Sequence, residues 1–342
     1  MRRTLFLALM LLIGATVFAQ TQVAILNHNE EISMFYGANA LANAHSAAVA
    51  GDIITLSSGS FNGCTITKPI TLRGAGFEND TIANTMRTYT NESIYIDVPS
   101  DSLFNLTIEG IRFSTIYYRN VYKPCFIKCY IHQILSATSM SIIDDAIFIN
   151  CYVGTSLGSR VSLSSFSYIN SIVANISEEA TILLYNSIVK LNYPHCGNPI
   201  YESLYAYNSI IINDNGYVSN CMGGNQYAKI SSTSLLKNCI TIKNGGNSLI
   251  ESMTMFNDTN LEVDNYSAIF NSLNVISSIG DYTLKEEIAA SFLGDDGTEV
   301  GLYGGLYPYN TKPNYMIVKK CNVASRATVD NKLSVEIEVI SE

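Results

Sequence analysis

The chain has 342 residues, a formal charge of −9 and only 20 Lys plus Arg. So acidic a chain cannot offer the basic surface that phosphate neutralisation demands, which excludes nucleic acid as a partner. After its first twenty residues no stretch approaches the ~20 apolar residues of a membrane span, so no transmembrane segment is expected. In chain order, residues 1–19 read as a secretory signal peptide: Arg2 and Arg3, an apolar run Leu5 to Ile13, and Val17-Phe18-Ala19 before Gln20. The expected mature protein is exported to an extracellular, cell-surface or periplasmic location, and the loss of Arg2 and Arg3 takes its charge from −9 to −11. Eight cysteines would then suggest disulfides, but Cys151, Cys221 and Cys239 each follow an Asn at positions filled elsewhere by Ser. A residue that exchanges with Ser is a small interior filler, not half of a bridge.

Residues 20–50 read as a capping segment with a short Ala-rich helix. "GDIITLSSGSFNGCTITKPITLRGAG", Gly51 to Gly76, predicts three short strands separated by Gly59, Gly63 and the Lys68-Pro69 step. "LFNLTIEGIRF", Leu103 to Phe113, predicts a further set of strands. In Cys125 to His132 the alternation places Cys125, Ile127, Cys129 and Ile131 on one face, taken as interior, with Phe126, Lys128, Tyr130 and His132 on the other.

From about 145 to 275 one phrase returns, an Asn followed by Ser or Cys and aliphatics. It occurs at Asn150, Asn170, Asn186 and Asn208, and more weakly at Asn220, Asn238 and Asn271, at intervals of 20, 16, 22, 12, 18 and 33 residues. Units of this size cannot bury an apolar face alone and must stack. The expected fold is all-β, a solenoid whose turns rise ~4.8 Å each, with the asparagines as a structural ladder at a bend and their amides bonding up the column. Both faces of the Asn-Ser-Ile-Val phrases read as apolar, so their inward register is left open and the outer face is expected to be sticky or covered.

Phe35 to Asp52, "FYGANALANAHSAAVAGD", followed by Asp52 to Leu56, Gly59 to Phe61 and Thr65 to Gly76, resembles the opening of secreted right-handed, single-stranded parallel β-helix proteins of the pectin-lyase-like type. "GDYTLKEEIAASFLGDDGTEVGLYGG", Gly280 to Gly305, is similar to the closing turn of members from Bacteroidetes that carry a DGTxxGxYGG segment. The resemblance implies a short N-terminal capping helix, a parallel β-helix over 51–305 and a C-terminal β cap over 306–342. It leaves activity open, because this fold hosts lyases, hydrolases, adhesins and tailspikes alike.

Polysaccharide lyases of this kind hold Ca²⁺ on clustered carboxylates beside a basic residue that takes the proton. Asp144 and Asp145 with Arg160 are the catalytic candidates here, set against an ordinary polar corner beside an exposed Arg. The Asn-Thr-Asp, His-Gly and Arg-x-Lys blocks of the related hydrolases are missing. Asp295, Asp296 and Glu299 could hold Ca²⁺, although an acidic Gly turn is the simpler reading; no other cofactor or metal is expected. The Cys125, Cys129, His132 spacing fails as a zinc site because the thiols and the imidazole take opposite faces. Tyr117, Tyr118, Tyr122, Tyr130, Tyr201, Tyr205 and Tyr207 could form shelves that stack on sugar rings. The expectation is a non-catalytic surface or periplasmic binding module with a polysaccharide as partner. A divergent polysaccharide lyase or glycoside hydrolase is the alternative, and a structural or adhesive protein the third reading.

Overall fold

The computed structural model describes residues 22–79, 85–99, 103–138, 140–156, 164–176, 180–191, 200–201, 203–213, 229–231, 233–243, 259–312, 316–323 and 335–341. Within them the chain winds as a parallel β-helix. One lateral sheet stacks, in order, Ile53–Leu56, Thr71–Arg73, Thr107–Glu109, Cys125–Ile127, Ala146–Ile149, Ser165–Ile169, Thr181–Tyr185, Leu204–Tyr207 and Leu235–Lys237, every neighbouring pair parallel. A second sheet runs from Gly59–Phe61 through Thr88–Thr90, Arg112–Tyr122, Tyr130–Ser136, Tyr152–Ser156, Ile172–Val173, Ile188–Leu191, Ile210–Asn213 and Ile240–Ile242 to Leu261–Val263. The long Arg112–Tyr122 strand turns onto a third face, where its end pairs with Ile94–Val98 and Ile142–Asp144.

The corner between the first two sheets explains the repeated phrase. Lys128, Asn150, Asn170, Asn186, Asn208 and Asn238 all take a left-handed backbone, with φ of 48°, 54°, 45°, 45°, 48° and 52°. For an L-residue this costs about 1–2 kcal/mol, and Asn is among the residues that bear it best. The corner amides from Lys128 to Asn208 each donate to a carbonyl of the next rung, for example Asn170 N to Tyr185 O at 3.0 Å, and Asn238 N donates to Thr259 Oγ1 at 3.3 Å. The residue after the corner points inward and continues the bonding. The N–H groups of Cys151, Ser171 and Ser187 donate to the hydroxyls of Ser171, Ser187 and Ser209 at 3.0, 3.1 and 3.1 Å. Ser171 Oγ bonds the carbonyls of Phe148 and Ile169 at 3.1 and 2.9 Å, and Cys151 places its thiol at the same kind of carbonyls at 3.4 Å. Ser and Cys are interchangeable here because either fits a narrow interior and closes the same bonds. Cys64, Cys125, Cys129, Cys151 and Cys239 are all free thiols.

Three expectations change at this corner. The ladder runs through backbone amides and Ser or Cys side chains, while the Asn amides point outward. Because the left-handed residue breaks alternation, the Cys125–Ile127 strand buries Phe126 and leaves Cys125 and Ile127 half-buried outside; Cys129 and Ile131 are interior. Asn271 stands off the column, on an exposed turn beside Leu284, and Asn220 lies outside the described residues.

Stacked interior rings, Phe126 on Phe148 and Phe148 on Tyr168 at 4.9 Å each, fill the tube together with aliphatics. The Ala40–Ala47 helix covers its first rung with Ala40, Leu41 and Ala44. That helix has no Gly to end it. Instead Lys68 Nζ donates to the carbonyls of His45, Ser46 and Ala48 at 2.8, 3.0 and 2.6 Å, placing a cation at the negative end of the helix. An antiparallel hairpin, Val23–His28 with Glu31–Tyr36, extends the first sheet beyond the helix.

The coil's last rung is Leu261–Val263, so residues 264–305 do not continue the solenoid as the sequence suggested. They fold back along the outside of the second sheet. Tyr266, Ile269, Phe270, Tyr282, Leu284, Val300 and Leu302 pack on Ile172, Ile188, Ile210, Ile212, Ile240 and Ile242. This second core settles why both faces of the repeats are apolar. The strap then descends the Asn column: Asp295 bonds Asn208, Gly304 and Gly305 press on Asn186, and Asn170 Nδ2 donates to Leu302 O and Gly304 O at 2.8 and 2.7 Å. Farther down, Asn310 N donates to Asn150 Oδ1 at 3.2 Å and Lys128 Nζ to Lys312 O at 2.7 Å. The DGTxxGxYGG glycines follow from this contact. A Cβ on Gly304 would lie 1.8 Å from Glu299 O, and one on Gly305 2.8 Å from Asn186 Oδ1. Met316–Val323 and Val335–Ser341 form an antiparallel pair of their own.

Candidate cleft at the uncovered end of the second sheet

The residue two beyond each corner points outward, so adjacent rungs form one column along the second sheet. Registered by strand pairing, it reads Tyr89, Arg112, Tyr130, Tyr152, Ile172, Ile188, Ile210, Ile240. The strap buries the isoleucine end. At the other end Tyr89, Thr90, Arg112, Phe113, Ser114, Tyr130 and His132 line an open cleft of about 350 Å³. That volume is at the lower end of small-ligand sites and is enough for a short sugar segment.

Arg112 is held flat over the ring of Tyr130, its guanidinium carbon 3.7 Å from the centroid, and Tyr130 stacks in turn on Tyr152 at 4.9 Å. Arg87 lies 5.2 Å over the ring of Tyr89. A guanidinium stacked on an aromatic face keeps its N–H edge for a planar anion, and part of the ordering cost of binding is already met. Phe77 tilts against Tyr130 at 6.3 Å, and the next residue, Glu78, is half-buried with Oε1 unpartnered among the described residues. Burial pushes the Glu78 carboxyl above the usual carboxylate range, against the pull of Arg112 and a hydrogen bond with Thr311. Burial, then the charge of Glu78, raises the Tyr309 hydroxyl, which is likewise buried without a partner. A carboxyl raised by burial, near an arginine and the Tyr309 phenol, has the chemistry to donate a proton or to recognise a carboxylate.

The residues singled out from sequence are distributed differently. Asp144 and Asp145 lie at another corner, where Ser165 Oγ is 2.9 Å from Asp144 Oδ1 and 3.3 Å from Asp145 Oδ1, and accepts the Asp145 N–H at 2.6 Å. Their basic neighbour is Lys123, 3.9 Å from Asp145 and 5.0 Å over the Tyr122 ring. Arg160 lies outside the described residues. Asp295 is taken up by Asn208 and by Lys237 at 3.1 Å, which hold its carboxyl below the usual range. Asp296 Oδ1 closes its own turn on the Thr298 N–H and hydroxyl at 2.9 and 2.7 Å, and Glu299 is half-buried, its carboxyl raised by burial.

Of the tyrosines, Tyr118 is fully buried, which removes it from any surface, and Tyr201 is described by its backbone alone. Tyr117 stacks on Tyr95, and Tyr207 on Tyr185, both at 5.1 Å; Tyr205 is half-buried beside them. Rings stacked along the axis occupy each other's faces, so a sugar meets their hydroxyl edges and not a flat shelf. Tyr130 is the one of the set that lines the cleft. Arg112 and His132 escape a reading keyed to Asn because the corners of their rungs are Gly110 and Lys128, and Tyr89 and Glu78 lie on an earlier rung that has no left-handed Asn among its described residues. Counting two residues on from any left-handed corner would have found the column. No family model, curated protein or solved structure matches the chain.

Proposed function

We propose that the protein is an exported binding module that takes a carboxylate-bearing polysaccharide in the Arg112 cleft. The observation that carries this reading is Arg112 stacked on Tyr130 at 3.7 Å in an open groove of a chain that is otherwise acidic. A net negative protein repels polyanions except where a local cation is fixed in place, so affinity for an anionic glycan must concentrate there. The hydroxyl edges of Tyr89 and Tyr130, with Ser114 and His132, supply hydrogen bonds for sugar hydroxyls. Calorimetric titration with hexuronate oligomers tests it. Binding is expected for the uronates and not for neutral oligomers of the same length, with Arg112→Ala weakening it at least about tenfold. Uronates that give no heat, or an Arg112→Ala variant that binds as well, overturn the reading.

Glu78, close enough to feel the charge of Arg112 though not itself in the cleft lining, favours a second reading, a divergent lyase or hydrolase working beside that cleft. It predicts new chain ends during prolonged incubation with a bound oligomer, lost in Glu78→Gln while binding persists. Intact oligomer after incubation rules this reading out and leaves the binding module standing.

A further inference from the structure

The hairpin that extends the first sheet ends in an open edge. Its loop, Asn29-Glu30, has φ of 48° and 70°, the two-residue geometry that closes on a hydrogen-bonded His28–Glu31 pair. Bonding then alternates along an antiparallel ladder, so Glu31, Ser33 and Phe35 turn their backbone groups towards Val23–His28. Gly37 N donating to Gln22 O at 2.8 Å agrees with this phase. Ile32, Met34 and Tyr36 consequently direct their N–H and C=O groups at the free edge, and no other described strand pairs there. Their side chains share one face and are 64%, 54% and 62% exposed.

Edge strands of soluble proteins usually carry Lys, Pro, a bulge or a covering loop. Glu31–Tyr36, EISMFY, carries no Lys, Pro or bulge, and its one charge is at its start. Its pattern also matches itself. In an antiparallel pairing centred on Met34, Met34 faces Met34 of a second copy, and Ile32 faces Tyr36 of that copy. Every residue opposed in this way is one whose backbone groups are open, so the register gives about six new hydrogen bonds. It brings Ile against Tyr, a favourable cross-strand combination, and sets Glu31 opposite Gly37, so no like charges meet. Shifting by two residues in either direction loses both Ile–Tyr pairs.

We propose that the Glu31–Tyr36 edge is a homodimer interface, in which two copies join antiparallel about a two-fold axis through Met34 into one continuous sheet. The contact is isologous, so it closes at two copies and does not grow into a fibre. The Arg112 cleft lies on another sheet and is untouched, so dimerisation and glycan binding are separable.

Light scattering on the full chain over a range of concentrations tests the proposal. The expected result is a concentration-dependent dimer whose dissociation constant rises at least about tenfold in Met34→Lys, which sets two ammonium groups face to face at the axis. Uronate binding should not change in that variant. A chain that stays monomeric at all concentrations, or a dimer that Met34→Lys leaves intact, overturns it. Amide exchange of the unaltered protein gives a measurement independent of any variant. Ile32, Met34 and Tyr36 should gain protection as the dimer forms, and amides that exchange equally fast in monomer and dimer also refute the interface.

Discussion

Asn170 gives the sharpest test of how the strap is fastened. Its side chain is 1% exposed and donates to two strap carbonyls, Leu302 O at 2.8 Å and Gly304 O at 2.7 Å, while its backbone sits at φ 45°. Two substitutions separate these roles. Asn170→Gly keeps the backbone at ease and takes the donor from Gly304 O, while Leu302 O keeps the Tyr309 N–H at 2.8 Å, so the cost is about 1–3 kcal/mol for one buried acceptor. Asn170→Ala loses the same two bonds and adds about 1–2 kcal/mol for a side chain forced into the left-handed region. Proteolysis of the strap reads the difference, since cleavage follows the population of the open form. The Gly variant should be cut about 5- to 160-fold faster than the unaltered protein, and the Ala variant faster again. A Gly variant within about threefold of the parent, or an Ala variant no worse than Gly, would refute the assignment of the amide as the clasp.

Gly304→Ala should lift the strap, because its Cβ would lie 1.8 Å from Glu299 O; binding of an apolar dye to the uncovered Ile172, Ile188, Ile210 and Ile240 should rise, and unchanged fluorescence would contradict the packing. Cys151→Ser should cost under about 1 kcal/mol in urea unfolding because Ser171 already makes the same bonds one rung on, whereas Cys151→Val leaves the Cys129 N–H without its partner and should cost about 1–3 kcal/mol. Lys68→Met should cost about 1–3 kcal/mol by abandoning three carbonyls at the helix end, read as a fall in the urea midpoint. His45 accepts the Thr67 N–H through Nε2 at 3.2 Å and must be neutral; burial, then the charge of Lys68, lowers its pKa from 6.5. The unfolded chain therefore takes up a proton first as pH falls, so the contribution of His45 is complete above 6.5 and is lost as pH drops through the folded-state value. Urea midpoints measured against pH should lose that slope in His45→Gln.

The coil was legible in the sequence because its corners repeat a chemistry and not only a spacing. Asn at a left-handed position, followed by Ser or Cys inside, marks Asn150, Asn170, Asn186 and Asn208 however long the intervening loops are. The strap was visible as a glycine pattern, Gly301, Gly304 and Gly305, but not as a cover. Its meaning depends on Asn186 and Asn170, more than a hundred residues earlier, and no local rule connects the two. The cleft was missed for a related reason. Arg112 and Tyr130 follow Gly110 and Lys128, which satisfy the same backbone demand with different side chains, so a search for Asn passes over the rungs that face solvent. Asp144-Asp145 drew attention as adjacent acids, yet chemistry at a coil's surface is assembled across rungs, about twenty residues apart, and seldom from neighbours in the chain.

The strap's descent along the outer isoleucines also fixes the order in which the molecule can mature. Residues 264–312 have nowhere to lie until Ile172, Ile188, Ile210 and Ile240 have been brought into line, so the tail of the chain serves as a late inspector of everything wound before it. A misaligned turn anywhere between Asn150 and Asn238 would offset one hook from its eye. The fault would then show as a loose, protease-sensitive end far from the error itself.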